Sequence, residues 1–341
     1  MRAILCRQHG GPENLTLAND VPDPEPGEGE VRVRVRAAGV NFADGLMVRG
    51  QYQERPPLPF TPGLEVAGEI DAVGPGVASQ AGLEPGRRVL AMVDRGGFAE
   101  RVVARAGDVV PLPEDGGDGR HVMDAVTAAG FAIAYGTAHG ALRWRANLAA
   151  GETLLVNGAA GGVGLTAVEV GKAIGARVIA TARGPDKLAV ALEHGADEAL
   201  DSETPDLAAR LKALGAPSDQ GGGIDVVFDP VGGAVFEASL RAIAWEGRIV
   251  VVGFASGVVP QIPANILLVK NAAALGFYWG SYRRRDPARL RAGFAELFRW
   301  HGEGRICPHV SATLPLERAA DALRLIAERR STGKVVLTTD G

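Results

Sequence analysis

Cysteine is nearly missing. Cys6 and Cys307, the two present in 341 residues, are too few for a disulfide framework. The six histidines, His9, His121, His139, His194, His301 and His309, are scattered without metal-ligand spacing, and none pairs with a cysteine in a recognisable nucleophile arrangement. Positive charge is not in surplus either. The 36 Lys and Arg stand against 40 Asp and Glu, and a net charge of −4 offers no basic field to nucleic acid or to an acidic membrane surface. Long apolar runs are absent: residues 1–7 hold nothing that serves as a signal peptide. The most apolar region, 125–142, is broken by Gly130, Gly136, Thr137 and His139, which predicts a buried helix rather than a membrane span. These absences predict a cytoplasmic protein with neither a nucleic-acid nor a membrane partner.

What is present is length enough for two domains, 46% hydrophobic residues and 47 glycines, which suit a fold with many tight turns. Up to about residue 120 the pattern is short strands and turns. Val31-Arg32-Val33-Arg34-Val35-Arg36 alternates with period two, a half-buried strand with its arginines toward water. From about Met123 the pattern changes to strands at 153–157, 176–181, 198–201, 224–229 and 248–253, with helices at 162–174, 186–194, 206–214 and 233–244. That alternation predicts a doubly wound parallel sheet covered on both faces, with ligands at the carboxyl ends of its strands. After about Pro263 a strand at 274–278, helices at 286–300 and 317–329 and a last strand at 334–338 are assigned to the first domain. The expected division is therefore 1–122 with 264–341 as one domain, and 123–263 as an inserted nucleotide domain.

The stretch Leu154 to Gly164 organises this insert. A buried strand runs into Gly158-Ala159-Ala160-Gly161-Gly162-Val163-Gly164 and then into a helix. Ala159, Gly161 and Gly164 read as the small positions that make the turn, let backbone approach a pyrophosphate and pack the helix on the strand, with Ala160, Gly161, Gly162 and Val163 lining the phosphates. Bare amides at a helix start, helped by the helix dipole, bind such an anion. Thr181 ends the next strand, where the adenosine ribose is met. Thr181-Ala182-Arg183-Gly184-Pro185-Asp186-Lys187 places no acid there to accept from a ribose 2′-hydroxyl, and puts Arg183 and Lys187 within reach of a 2′-phosphate. Asp186 reads as a helix N-cap. NADPH is the expected cofactor.

Together with Val40-Asn41-Phe42-Ala43-Asp44, Arg49-Gly50-Gln51-Tyr52, Pro62-Gly63-Leu64-Glu65-Val66-Ala67-Gly68 and Thr332-Gly333-Lys334-Val335-Val336, these motifs resemble the medium-chain dehydrogenase/reductase superfamily, in its zinc-free quinone oxidoreductase branch. The resemblance covers nearly the full length. It implies an α/β protein with a GroES-like β-rich catalytic domain, a Rossmann nucleotide domain, an active site in the cleft between them, and a homodimer formed by edge-strand pairing. Zinc-dependent relatives supply a cysteine at the place of Asn41 and a histidine at the place of Leu64. Neither side chain here makes a sensible zinc ligand, and two cysteines cannot build the four-cysteine structural lobe, so no metal is expected.

A hydride site without a Lewis acid suits acceptors that delocalise charge, such as quinones and α,β-unsaturated carbonyls. The resemblance puts Asn41 and Tyr52 near nicotinamide and substrate, Asn41 as a polar donor and Tyr52 as donor to the acceptor oxygen. It puts Thr137 by the nicotinamide amide, and Phe254 and Lys334 on the cofactor. Ser202 stands where some relatives have a tyrosine by the adenosine phosphate, and Asp44 reads as structural. The expected activity is NADPH-dependent reduction of a quinone or enone. Arg283-Arg284-Arg285 beside Phe277-Tyr278-Trp279 keeps an enoyl-CoA reductase as an alternative, and a non-catalytic NADPH-binding protein is an alternative of another class.

Overall fold

A computed structural model of the chain describes residues 1–77, 82–113, 123–215 and 222–339. His121 and the expected boundary at 122 lie outside or against the edge of these residues. The chain divides into two compact units, Met1–Ile133 with Arg285–Phe294 and Pro308–Gly341, and Ala134–Arg284 with Ala295–Cys307.

The first unit is β-rich. A hairpin of β1 (Ala3–Cys6) and β2 (Leu15–Ala18) accompanies a seven-stranded sheet. The sheet holds β3 (Glu30–Val40), β4 (Glu65–Val73), β5 (Arg88–Met92), β6 (Arg101–Arg105) and β7 (Val109–Pro111). The alternation in β3 works as expected: Val31, Val33 and Val35 are buried, while Arg32 pairs with Asp71 and both Arg34 and Arg36 pair with Glu69. Short helix α1 (Phe42–Val48) follows β3 directly, so the end of the longest strand delivers Asn41 to a helix start. The apolar region after 122 breaks into α2 (Ala125–Ala129), α3 (Ala132–His139) and a π-helical segment, Gly140–Arg145, and from Ala134 onward it belongs to the second unit. Gly136 and Gly140 lie where a Cβ would strike Trp279, and Phe277 with Trp144.

The second unit is built on a six-stranded, all-parallel sheet in the order β10-β9-β8-β11-β12-β13. Its strands are β8 (Thr153–Asn157), β9 (Arg177–Ala182), β10 (Glu198–Asp201), β11 (Ile224–Asp229), β12 (Ile243–Val251) and β13 (Ala273–Gly276). Helices α4 (Gly162–Ile174), α5 (Pro185–Glu193), α6 (Leu207–Leu214), α7 (Gly233–Ala242) and α8 (Ala264–Lys270) join them. The order reverses between β8 and β11, the switch point at which such sheets bind ligands.

Two expectations are corrected here. The strand after Pro263 does not belong to the first domain: β13 pairs in parallel with β12, Arg248 opposite Ala273 through Val251 opposite Gly276, and extends the nucleotide sheet. The second unit also takes 264–284 and 295–307. The proline-containing loop before α8 interrupts the strand–helix alternation and hides a sixth repeat. Beyond α9 (Tyr282–Arg285) and α10 (Pro287–Gly302), β14 (Val310–Pro315), α11 (Ala319–Ala327) and β15 (Lys334–Thr338) return to the first unit, where β15 pairs antiparallel with β3. Among the described residues no helix is long and apolar enough to cross a membrane.

Candidate functional site

In the second unit, β8 ends at Asn157 and the chain turns at Gly158, whose φ of +60° favours glycine. The turn thus falls one residue before Ala159, which was expected to make it; Ala159 is buried and donates its N–H to Thr181 O at 2.9 Å. Gly164 carries the close packing, because a Cβ there would lie 2.1 Å from Gly158 O. At Gly161 the nearest atom to a Cβ would be that same oxygen at 3.4 Å, ordinary contact. The fold does not demand glycine at 161, so its bare, exposed surface is free for a ligand. Gly161 caps α4 without a side-chain hydrogen bond, and no acidic residue stands in the first turn. The first-turn amides of Gly162, Val163 and Gly164 meet the conditions for holding a pyrophosphate, beside a buried Ala160.

Thr181 is corrected. Its hydroxyl is fully buried and donates to Asn157 Oδ1 at 2.9 Å, while Asn157 Nδ2 donates to Asp229 Oδ1 at 2.9 Å and to Ser239 Oγ at 3.0 Å. Asp229 Oδ2 in turn accepts from Gly232 N at 2.9 Å. Burial pushes the Asp229 carboxyl up, against donation from Asn157 and the Gly232 amide. This network ties β8, β9 and β11 together beneath the switch point, so Thr181 supports the edge and keeps its side chain from a ligand.

Arg183 follows β9 and is exposed, its Nε 2.9 Å from Glu203 Oε1; Lys187 is half-buried on α5. Ser202 N donates to Ala182 O at 2.9 Å. Asp186 is not the N-cap: α5 begins at Pro185 with Gly184 at the cap, since proline suits the first helical position, and Asp186 sits in the first turn. The acid-free strand end is also corrected. Sheet pairing brings Asp201, at the end of β10, to the β9 end, where its Oδ2 accepts from Gly184 N at 2.9 Å. Phe254 is exposed after β12, and Thr137 is buried in α3.

In the first unit Asn41, Glu65 and Lys334 form a buried polar cluster. Lys334 opens β15, which β3 pairs with, and its Nζ donates to Asn41 Oδ1 at 2.7 Å, Glu65 Oε1 at 2.8 Å and Val40 O at 3.1 Å. Three acceptors use all three ammonium protons, so Lys334 has no donor left for a cofactor and the expectation of that contact is corrected. Asn41 Nδ2 donates to the same Glu65 oxygen at 2.9 Å, and Glu65 Oε2 accepts from Ile133 N at 2.8 Å. The Asn41 amide is therefore fixed in one orientation, its oxygen toward a cation and its nitrogen toward an anion. One Nδ2–H remains lightly used, with Gly39 O 3.4 Å away.

Asp44 closes this arrangement from α1, accepting from Asn41 N at 2.8 Å and Gly63 N at 3.1 Å. Burial pushes its carboxyl up to about 7 against those two donors and the Lys334 ammonium. It is structural, as expected. Tyr52 is half-buried against the apolar core of this unit, as is Leu64. Zinc does not fit here: Leu64 is apolar and packed, the Asn41 oxygen is taken by Lys334, and among the described residues no three His, Cys, Asp or Glu side chains cluster to hold a metal.

Sequence reasoning missed the roles of Glu65, Asp201 and Glu203. Glu65 stands in the Pro62–Gly68 motif, but only the pairing of β3 with β4 and β15 shows that it answers Lys334. The acids of β10 carry no signal until the sheet order is known.

Residues 27–114 match the family described as alcohol dehydrogenase GroES-like domain, and residues 162–297 that described as zinc-binding dehydrogenase. The chain is 40% identical over 341 residues to the quinone oxidoreductase-like protein 2 homolog of Nematostella vectensis, covering 99% of this chain and 89% of that protein. The quinone oxidoreductase from Thermus thermophilus, solved also in complex with NADPH, is 37% identical with a TM-score of 0.82 over 99% of this chain and 100% of that one. A mycobacterial protein solved in complex with NADPH is 33% identical with a TM-score of 0.89 over 99% of each chain.

Proposed function

We propose, from the premise that this chain belongs to the medium-chain dehydrogenase/reductase superfamily in its quinone oxidoreductase branch, that it is an NADPH-dependent reductase of quinones or other conjugated carbonyl compounds working without zinc. The observation that carries this reading is the Asn41–Glu65–Lys334 cluster, a polar site with no donor set for a metal. An acceptor reduced beside such a cluster must spread its own developing charge, which a quinone or enone does.

NADPH, when bound, supplies hydride. The first-turn amides of α4 hold its pyrophosphate, Gly161 keeps that approach free of side chain, and Arg183 with Lys187 meets the 2′-phosphate. Asn41 offers its remaining Nδ2–H as a donor whose direction Lys334 and Glu65 fix. Tyr52 donates a hydrogen bond to the acceptor oxygen as negative charge grows there. Hydride addition would turn a quinone into its hydroquinone monoanion, and a single proton, passed from solvent by way of a donor such as Tyr52, completes the hydroquinone. We also propose that a second copy covers the β13 edge of the nucleotide sheet, because α8 buries none of its residues and presents Leu268 and Val269 at 77% and 73% exposure.

The test is steady-state oxidation of NADPH and NADH by 1,4-benzoquinone, 9,10-phenanthrenequinone, an enone and crotonyl-CoA, on chelator-treated protein sized first by sedimentation. Turnover of NADPH with quinones by a particle of twice the chain mass is the expected result. Turnover of the thioester alone would replace the substrate class, and cofactor binding without turnover on any acceptor would remove the catalytic reading.

A further inference from the structure

The ends of β9 and β10 are laced into one frame. Ser202 N donates to Ala182 O at 2.9 Å, and the Asp201 carboxylate takes Gly184 N at 2.9 Å on one oxygen and Glu203 N at 2.9 Å on the other. Donation from the Glu203 and Gly184 amides, with Arg183 nearby, holds the Asp201 carboxyl below its usual range, so it stays ionised. Each strand end then contributes one side chain to a pair across the frame, Arg183 Nε and Glu203 Oε1 at 2.9 Å, both more than half exposed. The space over Gly184 is open: a Cβ built there meets nothing within 4 Å.

The charges at this corner are Arg183 and Lys187 against Asp186, Asp201 and Glu203, two positive against three negative. A ribose with free hydroxyls adds no charge to that balance. A 2′-phosphate adds between one and two negative charges and has Arg183 as its most exposed partner. A guanidinium whose Nε already serves a carboxylate must give up that bond, or share it, to fork onto a phosphate.

We propose that Glu203 is a specificity-determining residue: its carboxylate competes with the 2′-phosphate of NADPH for Arg183 and so reduces the preference for NADPH over NADH. This rests on the reading of the β8–β9 edge as the dinucleotide site. Asp201 sets the competition up by fixing the backbone of Glu203 and of Gly184 with the same carboxylate. Glu203 itself is exposed and bonded through its side chain to Arg183, so its replacement does not disturb the core.

The experiment is equilibrium binding of NADPH and NADH, read by nicotinamide fluorescence at low salt, for the unaltered protein, Glu203→Gln, Arg183→Gln and the double variant. An exposed ion pair is weak, so Glu203→Gln is expected to tighten NADPH by about fivefold and to move NADH by less than about twofold. Arg183→Gln weakens NADPH by about tenfold with little effect on NADH, and in its background Glu203→Gln loses most of its benefit. If Glu203→Gln leaves the NADPH to NADH ratio unchanged while Arg183→Gln lowers it, Glu203 is a bystander and the cofactor site stands. If Glu203→Gln weakens NADPH, the carboxylate orients Arg183 for the phosphate and the competition is overturned. If Arg183→Gln moves neither cofactor, or the unaltered protein binds neither, the assignment of the site fails and this proposal with it.

Discussion

The two polar regions of this molecule solve opposite problems. Around Asn41 all but one Nδ2–H of the polar groups is spent inside the protein: three bonds on Lys334, two charged partners on the Asn41 amide, two backbone amides on Asp44. At the start of α4 no side chain caps the helix, Gly164 is crowded by backbone, and the exposed N-cap Gly161 has only Gly158 O, at 3.4 Å, near the place of a Cβ. The first region fixes the direction of one amide at the cost of burying charge. The second leaves helix-start amides open to water or to a ligand. A closed cluster should respond to mutation through stability, and an open edge through affinity.

The largest break in that contrast is Lys334→Met. It leaves the Glu65 carboxylate fully buried without its cation, which typically costs about 3–5 kcal/mol. The double variant Lys334→Met with Glu65→Gln removes the stranded charge and recovers part of the loss. Denaturant midpoints at constant slope measure both, and a single variant as stable as the parent would show that the pair is not compensated as described.

Asp44 sharpens the same side. Its carboxyl stands at 3.8 in an unfolded chain and is pushed up to about 7 in the fold, so between these values the folded state holds a proton that the unfolded state has released. Stability from this group therefore falls as pH rises from about 4 to about 7, by about 1.4 kcal/mol per pH unit, and is flat outside that window. Subtracting the stability–pH curve of Asp44→Asn from that of the parent isolates the slope. A difference that is flat, or rises with pH, would show that the two backbone amides and Lys334 outweigh burial.

Much of the open edge was legible because local rules decide it. The glycine cluster, the strand before it and the helix after it are contiguous, and the helix runs from Gly162 to Ile174, the bounds expected from the sequence. The closed cluster was not legible in the same way. Asn41, Glu65 and Lys334 are far apart in sequence and meet only because β3 pairs with both β4 and β15. The resemblance therefore puts Lys334 on the cofactor, whereas its ammonium is spent on Asn41, Glu65 and Val40. Asp201 and Glu203 were overlooked for the same reason: they belong to the strand that lies beside β9, and adjacency in a sheet is a tertiary fact. Thr181 failed differently, since a hydroxyl at a strand end serves a ligand or a buried amide equally well until Asn157 is seen beneath it.

The smallest effect on stability is the most informative about the open side. Gly161→Ala adds a methyl that meets only Gly158 O at 3.4 Å, at a residue whose φ of −80° any amino acid adopts, so its cost is about 0.5 kcal/mol as a poorer N-cap. Gly164→Ala drives the same methyl to 2.1 Å from that oxygen, and the turn must shift, at about 1–3 kcal/mol. Both variants should weaken NADPH by about tenfold or more, but for different reasons: one fills the ligand's space, the other moves the amides that hold it. Thermal midpoints beside dissociation constants separate the two. Unchanged affinity in Gly161→Ala would mean that the bare face of α4 is not where the pyrophosphate lies, whereas unchanged affinity in Gly164→Ala would mean that the turn can yield without disturbing the amides.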